Sequence, residues 1–321
     1  MKSLATYSAY LESALQQDQF AQEPANLYDP LRYFLQLGGK RMRPMLSLMA
    51  CKFAGSAMEK ALPVALAVEY FHNFSLIHDD IMDAAPLRRG QATVHEKWNT
   101  NIAILSGDVL LVKAYDYLAS YDAETFQQLF QVFNRTAVEV CEGQQMDMDF
   151  EQLSEVSESA YLEMIRLKTS VLLGCALQMG GIVGGAAQKD AQLLYEFGEQ
   201  LGLAFQIQDD ILDLYGESAQ VGKQVGGDVL ANKKTLLSIS AKKAASPEQL
   251  AELQEIENTL DPKSKVERTQ KIYTELGARA YCEVKMEFHH NQALNALKNI
   301  ELPNSKAELI ELANFLFTRA Y

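Results

Sequence analysis

Two apolar stretches of this chain end in the same way. Phe71 to Ile77 runs into His78-Asp-Asp-Ile-Met-Asp83, and Leu201 to Ile207 runs into Gln208-Asp-Asp-Ile-Leu-Asp213. On a helix each residue turns about 100°, so Asp79 and Asp83 lie about 40° apart and one turn along. Asp209 and Asp213 repeat that spacing. Carboxylates set so close repel unless a cation or a basic group lies between them. Each cluster closes an apolar helix, so each sits at the mouth of a buried helix rather than on a solvated face. One such cluster alone reads as a capped or solvated helix end; two near-identical ones point to a shared ion. A hard cation with oxygen ligands suits them. Mg²⁺ is the usual choice where phosphates complete the shell, because it takes only one or two carboxylates per ion.

The remaining chain reads as helices that hold these ends. Stretches 59–83, 101–121, 123–150, 158–179 and 187–214 carry apolar residues at three and four spacings. Period-two alternation is scarce, and Asn-Gly and Asp-Gly hairpin signals are absent. Pro44 follows Gly38-Gly39 and suits the first turn of a helix. Ser246-Pro-Glu-Gln249 and Ser305-Lys-Ala-Glu308 both read as capping boxes. No Pro/Ser/Gly-rich tract, charge block or repeat divides the chain. The expectation is an all-α fold, a bundle of ten or more helices in a single domain over 1–321. The segment 171–187 is apolar nearly all round, as in a helix deep inside a large bundle. Its Gly180, Gly181, Gly184 and Gly185 favour a helix end or tight packing over a phosphate loop, since no strand precedes them.

Charge narrows the function. Against 42 Asp+Glu stand 29 Lys+Arg, a formal net charge of −13 over 321 residues. Such a chain makes a poor general binder of nucleic acid and is repelled by an anionic membrane surface. No unbroken apolar run reaches the ~18–20 residues of a spanning helix, so no transmembrane segment is expected, and the first twenty residues lack a signal-peptide pattern. Cys51, Cys141, Cys175 and Cys282 are scattered without a CxxC pair, which suits reduced thiols and a cytoplasmic location. The cations that are present cluster around the acid. Gly38-Gly-Lys-Arg-Met-Arg-Pro44 precedes the first cluster, Arg88-Arg89 follow it, and Lys223 and Lys233-Lys234 follow the second. Any one group reads as a solvated patch; the alternation of basic and acidic groups points to diphosphate, which Arg and Lys clamp with charge-assisted bonds.

These motifs, GGKRMRP, HNFSLIHDDIMDAAPLRRG, KTSVLLG and FQIQDDILD…GKQVGGD…NKKT, come in an order that resembles the trans-type isoprenyl diphosphate synthases. The resemblance covers about 38–111 and 166–235. It implies an all-helical isoprenoid-synthase bundle around a deep central cavity, usually a homodimer. The implied reaction joins an allylic diphosphate to isopentenyl diphosphate, head to tail. By position, Asp79 and Asp83 would hold two Mg²⁺ ions and Asp209 a third, with Asp80, Asp210 and Asp213 as outer acceptors. Arg88, Lys168, Lys223 and Lys233 would hold the allylic diphosphate. Lys40, Arg43, His72 and Arg89 would hold isopentenyl diphosphate without metal. Backbone carbonyls at Lys168 and Thr169 and the Gln206 amide oxygen would face the allylic cation, and a dry cavity would keep water from quenching it. His72 alone reads as a core histidine; its place seven residues before Asp79 matches the family. A terpene cyclase needs no isopentenyl site, and a regulatory subunit tends to lose an Asp motif; this chain keeps all of these parts.

Product length should depend on the helix ending at Asp79. With 1.5 Å rise per residue, Ser75 lies about 6 Å, Phe74 about 7.5 Å and Phe71 about 12 Å below Asp79. Phe71 and Phe74 read either as ordinary aromatic core or as the floor of a tail cavity. An aromatic–small pair at Phe74-Ser75, with no insertion in the Asp motif, is similar to archaeal-type geranylgeranyl synthases, with a farnesyl product as the alternative.

Overall fold

A computed structural model describes residues 2–17, 20–216 and 226–317. Its helices are α1 (Lys2–Gln17), α2 (Ala25–Gln36), α3 (Met42–Phe53), α4 (Leu62–Met82), α5 (Val94–Lys97), α6 (Thr100–Leu118), α7 (Ala123–Gln152), α8 (Glu158–Ile165), α9 (Val171–Gly184) and α10 (Gln188–Tyr215). They continue as α11 (Gly227–Leu230), α12 (Leu236–Ala244), α13 (Pro247–Glu257), α14 (Pro262–Glu275), α15 (Ala278–Lys298) and α16 (Ala307–Phe317). The all-α expectation holds, and all five long stretches are helical.

Local chemistry accounts for several helix ends. The Asn99 side chain caps α6 by accepting from the Ile102 N–H at 3.0 Å. Ser246 and Gln249 form the expected box at the start of α13. The second expected box does not form. Ser305 accepts from the Ala307 N–H instead, and Glu308 is drawn off by Lys52 at 2.8 Å and by the Tyr7 hydroxyl at 2.7 Å. A tertiary ion pair outcompetes a local cap.

One short hairpin interrupts the helices, with β1 (Leu87–Arg88) antiparallel to β2 (Gln91–Ala92). Its two turn residues, Arg89 and Gly90, have φ of 53° and 76°. Two left-handed residues are what a tight two-residue hairpin needs, and here Arg-Gly supplies them in place of Asn-Gly.

Two compact units share the chain. One gathers Met1–Arg135, Leu172–Tyr195 and Ile300–Glu308; the other gathers Thr136–Val171, Glu196–Asn299 and Leu309–Tyr321. In the first, α4 packs chiefly on α6 and α3, and Leu46, Val64, Val68, Tyr70, Phe71, Leu110 and Phe133 are buried. In the second, Phe150, Tyr161, Ile165, Ile207, Ile211, Leu236 and Cys282 belong to one apolar cluster.

The glycines of α9 serve tight packing, as their surroundings require. A Cβ on Gly180 would sit 2.2 Å from the Ser47 carbonyl oxygen, and one on Gly184 would sit 2.7 Å from that of Cys51. These positions are four apart on both helices, so α9 lies directly on the backbone of α3. The segment Glu158–Gly184 is one helical run long and apolar enough to cross a membrane by length and composition, and 78% of its most apolar window is buried inside the protein. Arg166 and Lys168 interrupt it, which is why no unbroken apolar run is seen in the sequence. Gly180→Ala is expected to cost about 1–3 kcal/mol by overpacking α3, read as a lowered melting temperature.

Candidate active site

The first acidic cluster closes α4. Asp79 is half-buried, Asp80 is buried and Asp83, just past the helix end, is exposed. The hairpin aims Arg88 back at them. Its Nε donates to both Asp80 oxygens at 2.8 and 2.9 Å, and its Nη2 lies 2.7 Å from Asp80 and 3.6 Å from Asp79. Burial raises the Asp80 carboxyl above its ordinary value, against the pull of Arg88. Asp80 is thus a buried anchor for Arg88.

The loop before α3 is held by a buried residue between two predicted ligands. Arg41, with φ of 47°, turns inward. It pairs with Glu69 in a short contact, reaches Glu12 at 3.0 Å, and donates to the Leu35 carbonyl at 2.7 Å. Lys40 is exposed beside it, and Arg43 lies 3.2 Å from His72 Nε2. Gly39 leaves room for the Arg89 guanidinium, which a Cβ would approach to 2.9 Å. Burial, then Arg43, Arg89, Arg88 and Arg41, hold His72 well below the usual imidazole range. The imidazole is therefore neutral, and Nε2 accepts from Arg43. Lys40, Arg43, His72, Arg88 and Arg89 all belong to this one region.

Below Asp79 on α4, the Ser75 hydroxyl donates to the His72 carbonyl of its own helix at 2.9 Å. The Phe74 ring packs on Phe71 at 5.6 Å and on His78 at 4.7 Å; Phe71 meets Phe133 edge-on at 5.3 Å, and Phe133 meets Tyr115 at 5.1 Å. The predicted aromatics thus form the near end of a larger cluster.

In the other unit, α8 passes into α9 through a π turn at Arg166–Ser170, which carries Lys168 and Thr169. A π turn inserts one residue into the hydrogen-bond ladder and is frequent at functional sites. Here it is clamped. Arg166 reaches Glu163 at 2.8 Å and Glu199 at 2.9 Å. A Cβ on Gly143 of α7 would lie 2.3 Å from the Lys168 backbone nitrogen, and one on Gly202 of α10 would lie 2.6 Å from the Ser170 Cα. The Lys168 ammonium is 2.6 Å from Asp147. The Thr169 hydroxyl donates to the Gln206 oxygen at 3.3 Å. Lys168, Thr169, Gln206, Asp210 and Lys233 line one cavity of about 630 Å³, together with Asp147, Tyr161, Asp228 and Lys234.

The three carboxylates of the second cluster take different partners. Asp209 is half-buried on α10. Asp213 accepts from the Asp228 N–H at 3.0 Å and so holds the start of α11. Asp210 is buried and accepts from the Tyr161 hydroxyl and from Gln206 Nε2 at 3.2 Å. Burial and nearby Asp228 raise its carboxyl well above the usual range; burial and Asp210 raise the Tyr161 phenol well above its own, so that the hydroxyl keeps its proton. Asp210 thus faces Tyr161 and Gln206. Lys223 lies outside the described residues.

The sequence profile described as Polyprenyl synthetase matches residues 24–276. The chain belongs to the polyprenyl synthetase family. It is a prenyltransferase. It is 37% identical over 316 residues to the geranylgeranyl diphosphate synthase of Methanosarcina mazei, covering 98% of this chain and 96% of that one. It is 38% identical over 300 residues to the geranylgeranyl pyrophosphate synthase of Geoglobus acetivorans, covering 93% and 92%. A crystal structure of a geranylgeranyl pyrophosphate synthase superposes with a TM-score of 0.92 at 43% identity, covering 100% of this chain and 99% of that one.

The donor sets suit Mg²⁺. They are carboxylate oxygens one helical turn apart, and among the described residues no three acidic, histidine or cysteine side chains are grouped closely enough to hold an ion alone. Mg²⁺ takes one or two carboxylates and completes its shell with phosphate oxygens.

Residues that sequence reading passed over are Arg41, Glu69, Gly143, Asp147 and Tyr161. Gly143 and Asp147 are four apart in Gly143-Gln-Gln-Met-Asp147, so they share a helix face. A glycine and a carboxylate together on a helix face already read as amphipathic were the available signal. Because folded His72 resists protonation while the unfolded chain takes it up near pH 6.5, stability should fall as pH drops below about 6.5. His72→Gln should flatten that part of the melting-temperature profile.

Proposed function

We propose that the chain is a Mg²⁺-dependent short-chain synthase that condenses an allylic diphosphate with isopentenyl diphosphate, its main product being geranylgeranyl diphosphate. The observation that carries this is the pairing, within one unit, of two unlike anion sites. Arg43 and Arg89 lie close to a neutral His72, and Asp79 follows about two turns further along the same helix, with Asp83 just past its end. The arginine-rich site takes a diphosphate directly. The carboxylate site takes one only through a divalent cation.

Asp79, Asp83 and Asp209 would hold Mg²⁺, three ions with substrate bound. Mg²⁺ supplies Lewis-acid stabilisation of the charge that develops on the leaving diphosphate. Arg88, Lys168 and Lys233, with Lys223, bind that diphosphate. Lys168 leaves Asp147 to do so, exchanging one anionic partner for another. Lys40, Arg43, His72 and Arg89 hold isopentenyl diphosphate so that its double bond attacks the allylic carbon. The Lys168 and Thr169 carbonyls and the Gln206 oxygen present dipoles to the cation without capturing it. The departed diphosphate accepts the proton lost from the new prenyl chain.

Product length follows from the α4 aromatics. Phe74 stands just under Ser75, backed by Phe71, which in turn packs on Phe133. This arrangement and the names of the relatives support the C20 product. Leu105 and Val112, one heptad apart on α6, are 58% and 61% exposed, and this apolar stripe supports a homodimer. The four cysteines are free thiols, which fits the cytoplasm.

Incubation with Mg²⁺, labelled isopentenyl diphosphate and C5–C15 allylic starters should give labelled prenyl chains; none with any starter would sink the reading. Asp79→Ala and Asp209→Ala should each lower turnover by about 10²–10³-fold or more. Phe74→Ala should lengthen the product, and an unchanged chromatogram would remove Phe74 from the floor.

A further inference from the structure

Gln206 poses a problem of direction. The two ends of a carboxamide have nearly the same shape, but one is an acceptor oxygen and the other a donor NH₂. Only the oxygen stabilises a neighbouring cation; the NH₂ end would repel it. Nothing in glutamine itself selects between them, so the surroundings must.

We propose that Tyr161 and Asp210 are positioning residues that set the Gln206 amide with its oxygen toward Thr169 and the cavity; this rests on the prenyltransferase reading above. Asp210 lies one turn after Gln206 on α10, on the same helix face. Its Oδ1 accepts from Gln206 Nε2 at 3.2 Å, which fixes the NH₂ end. The opposite end, Oε1, accepts from the Thr169 hydroxyl at 3.3 Å. Asp210 is held in turn, because its Oδ2 accepts from the Tyr161 hydroxyl. Tyr161 comes from a different helix, α8, and is 3% exposed; Asp210 is 5% exposed. Two buried groups on two helices thus fix one amide, and all four residues line the same cavity. Such a chain gives the site a dipole oriented before any cation forms, which is where preorganised electrostatics acts.

The middle Asp of the second motif therefore differs in task from its neighbours. Asp209 is assigned to metal, and Asp213 holds the start of α11. Asp210 orients an amide. Tyr161, seven residues before Lys168, lies outside the motifs that carry the family resemblance.

The test is a double-mutant cycle on kcat and KM with Tyr161→Phe, Gln206→Ala and the double variant. Tyr161→Phe keeps the ring and removes only the hydroxyl. Acting through Gln206, it should lower kcat by about tenfold with each substrate's KM changed less than about twofold. In the Gln206→Ala background the same substitution should change kcat by less than about twofold. An equal loss in both backgrounds would show that Tyr161 acts on packing alone and would overturn the proposal, as would wild-type kcat in Tyr161→Phe. If a thermal melt shows that Tyr161→Phe does not fold, Asp210→Asn replaces it in the same cycle, with the same deciding outcomes. Failure of the wild-type protein to make any prenyl chain would instead refute the prenyltransferase reading.

Discussion

Buried and half-buried carboxylates must be given counter-charge, and each of the two units is arranged around that need. Asp80 is buried and answered by Arg88; Glu69 is buried and answered by Arg41; Asp147 is answered by Lys168. Each pairing also fixes a side chain or loop in place. Arg88 is brought to the acidic mouth of α4. Arg41 ties down the loop that carries Lys40 and Arg43. Lys168 is held on the π turn. In a buried pair the Coulomb gain is offset by desolvation, so the pairs are better understood as fixing geometry than as sources of stability.

Close packing does for the backbone what the ion pairs do for side chains. The π turn at Arg166–Ser170 departs from the regular helix, and glycines on α7 and α10 let two helices press against it. A methyl group at either point would push the turn away. The same device, in Gly180 and Gly184, lays α9 on the backbone of α3. Backbone-to-backbone packing holds the turn with few soft degrees of freedom, the accuracy that the proposed role of its carbonyls would need.

Much of this was legible in the sequence because it is written in short-range spacing. The helices α4, α6, α7 and α10 follow from apolar periodicity, and the Asp motifs from residues one turn apart. Ser246 and Gln249 cap α13 as their spacing predicts. Where sequence reading failed, a long-range partner had won. Glu308 leaves its own helix end for Lys52 and Tyr7, which lie hundreds of residues away in sequence. Asp210 reads like its neighbours in the motif, and its contact with Tyr161, from another helix, has no local signal. Arg41 sits among the cations of the GGKRMRP turn with no role assigned to it by sequence, and the structure buries it against Glu69. Asp147 looks like any polar residue of an amphipathic helix and lines the cavity with Lys168.

By itself the sequence determined the helical class, the paired acidic clusters, the cations around them and the family they resemble, because periodicity and motif spacing depend only on neighbours along the chain. Only the tertiary structure decided which of those charges are buried against the protein and with which partners they pair. Burial and partner geometry separate Arg41 from Arg43, and Asp210 from Asp209, although each pair is nearly adjacent in sequence. Neighbouring residues of a helix or loop point in different directions, and what meets them there comes from distant parts of the chain.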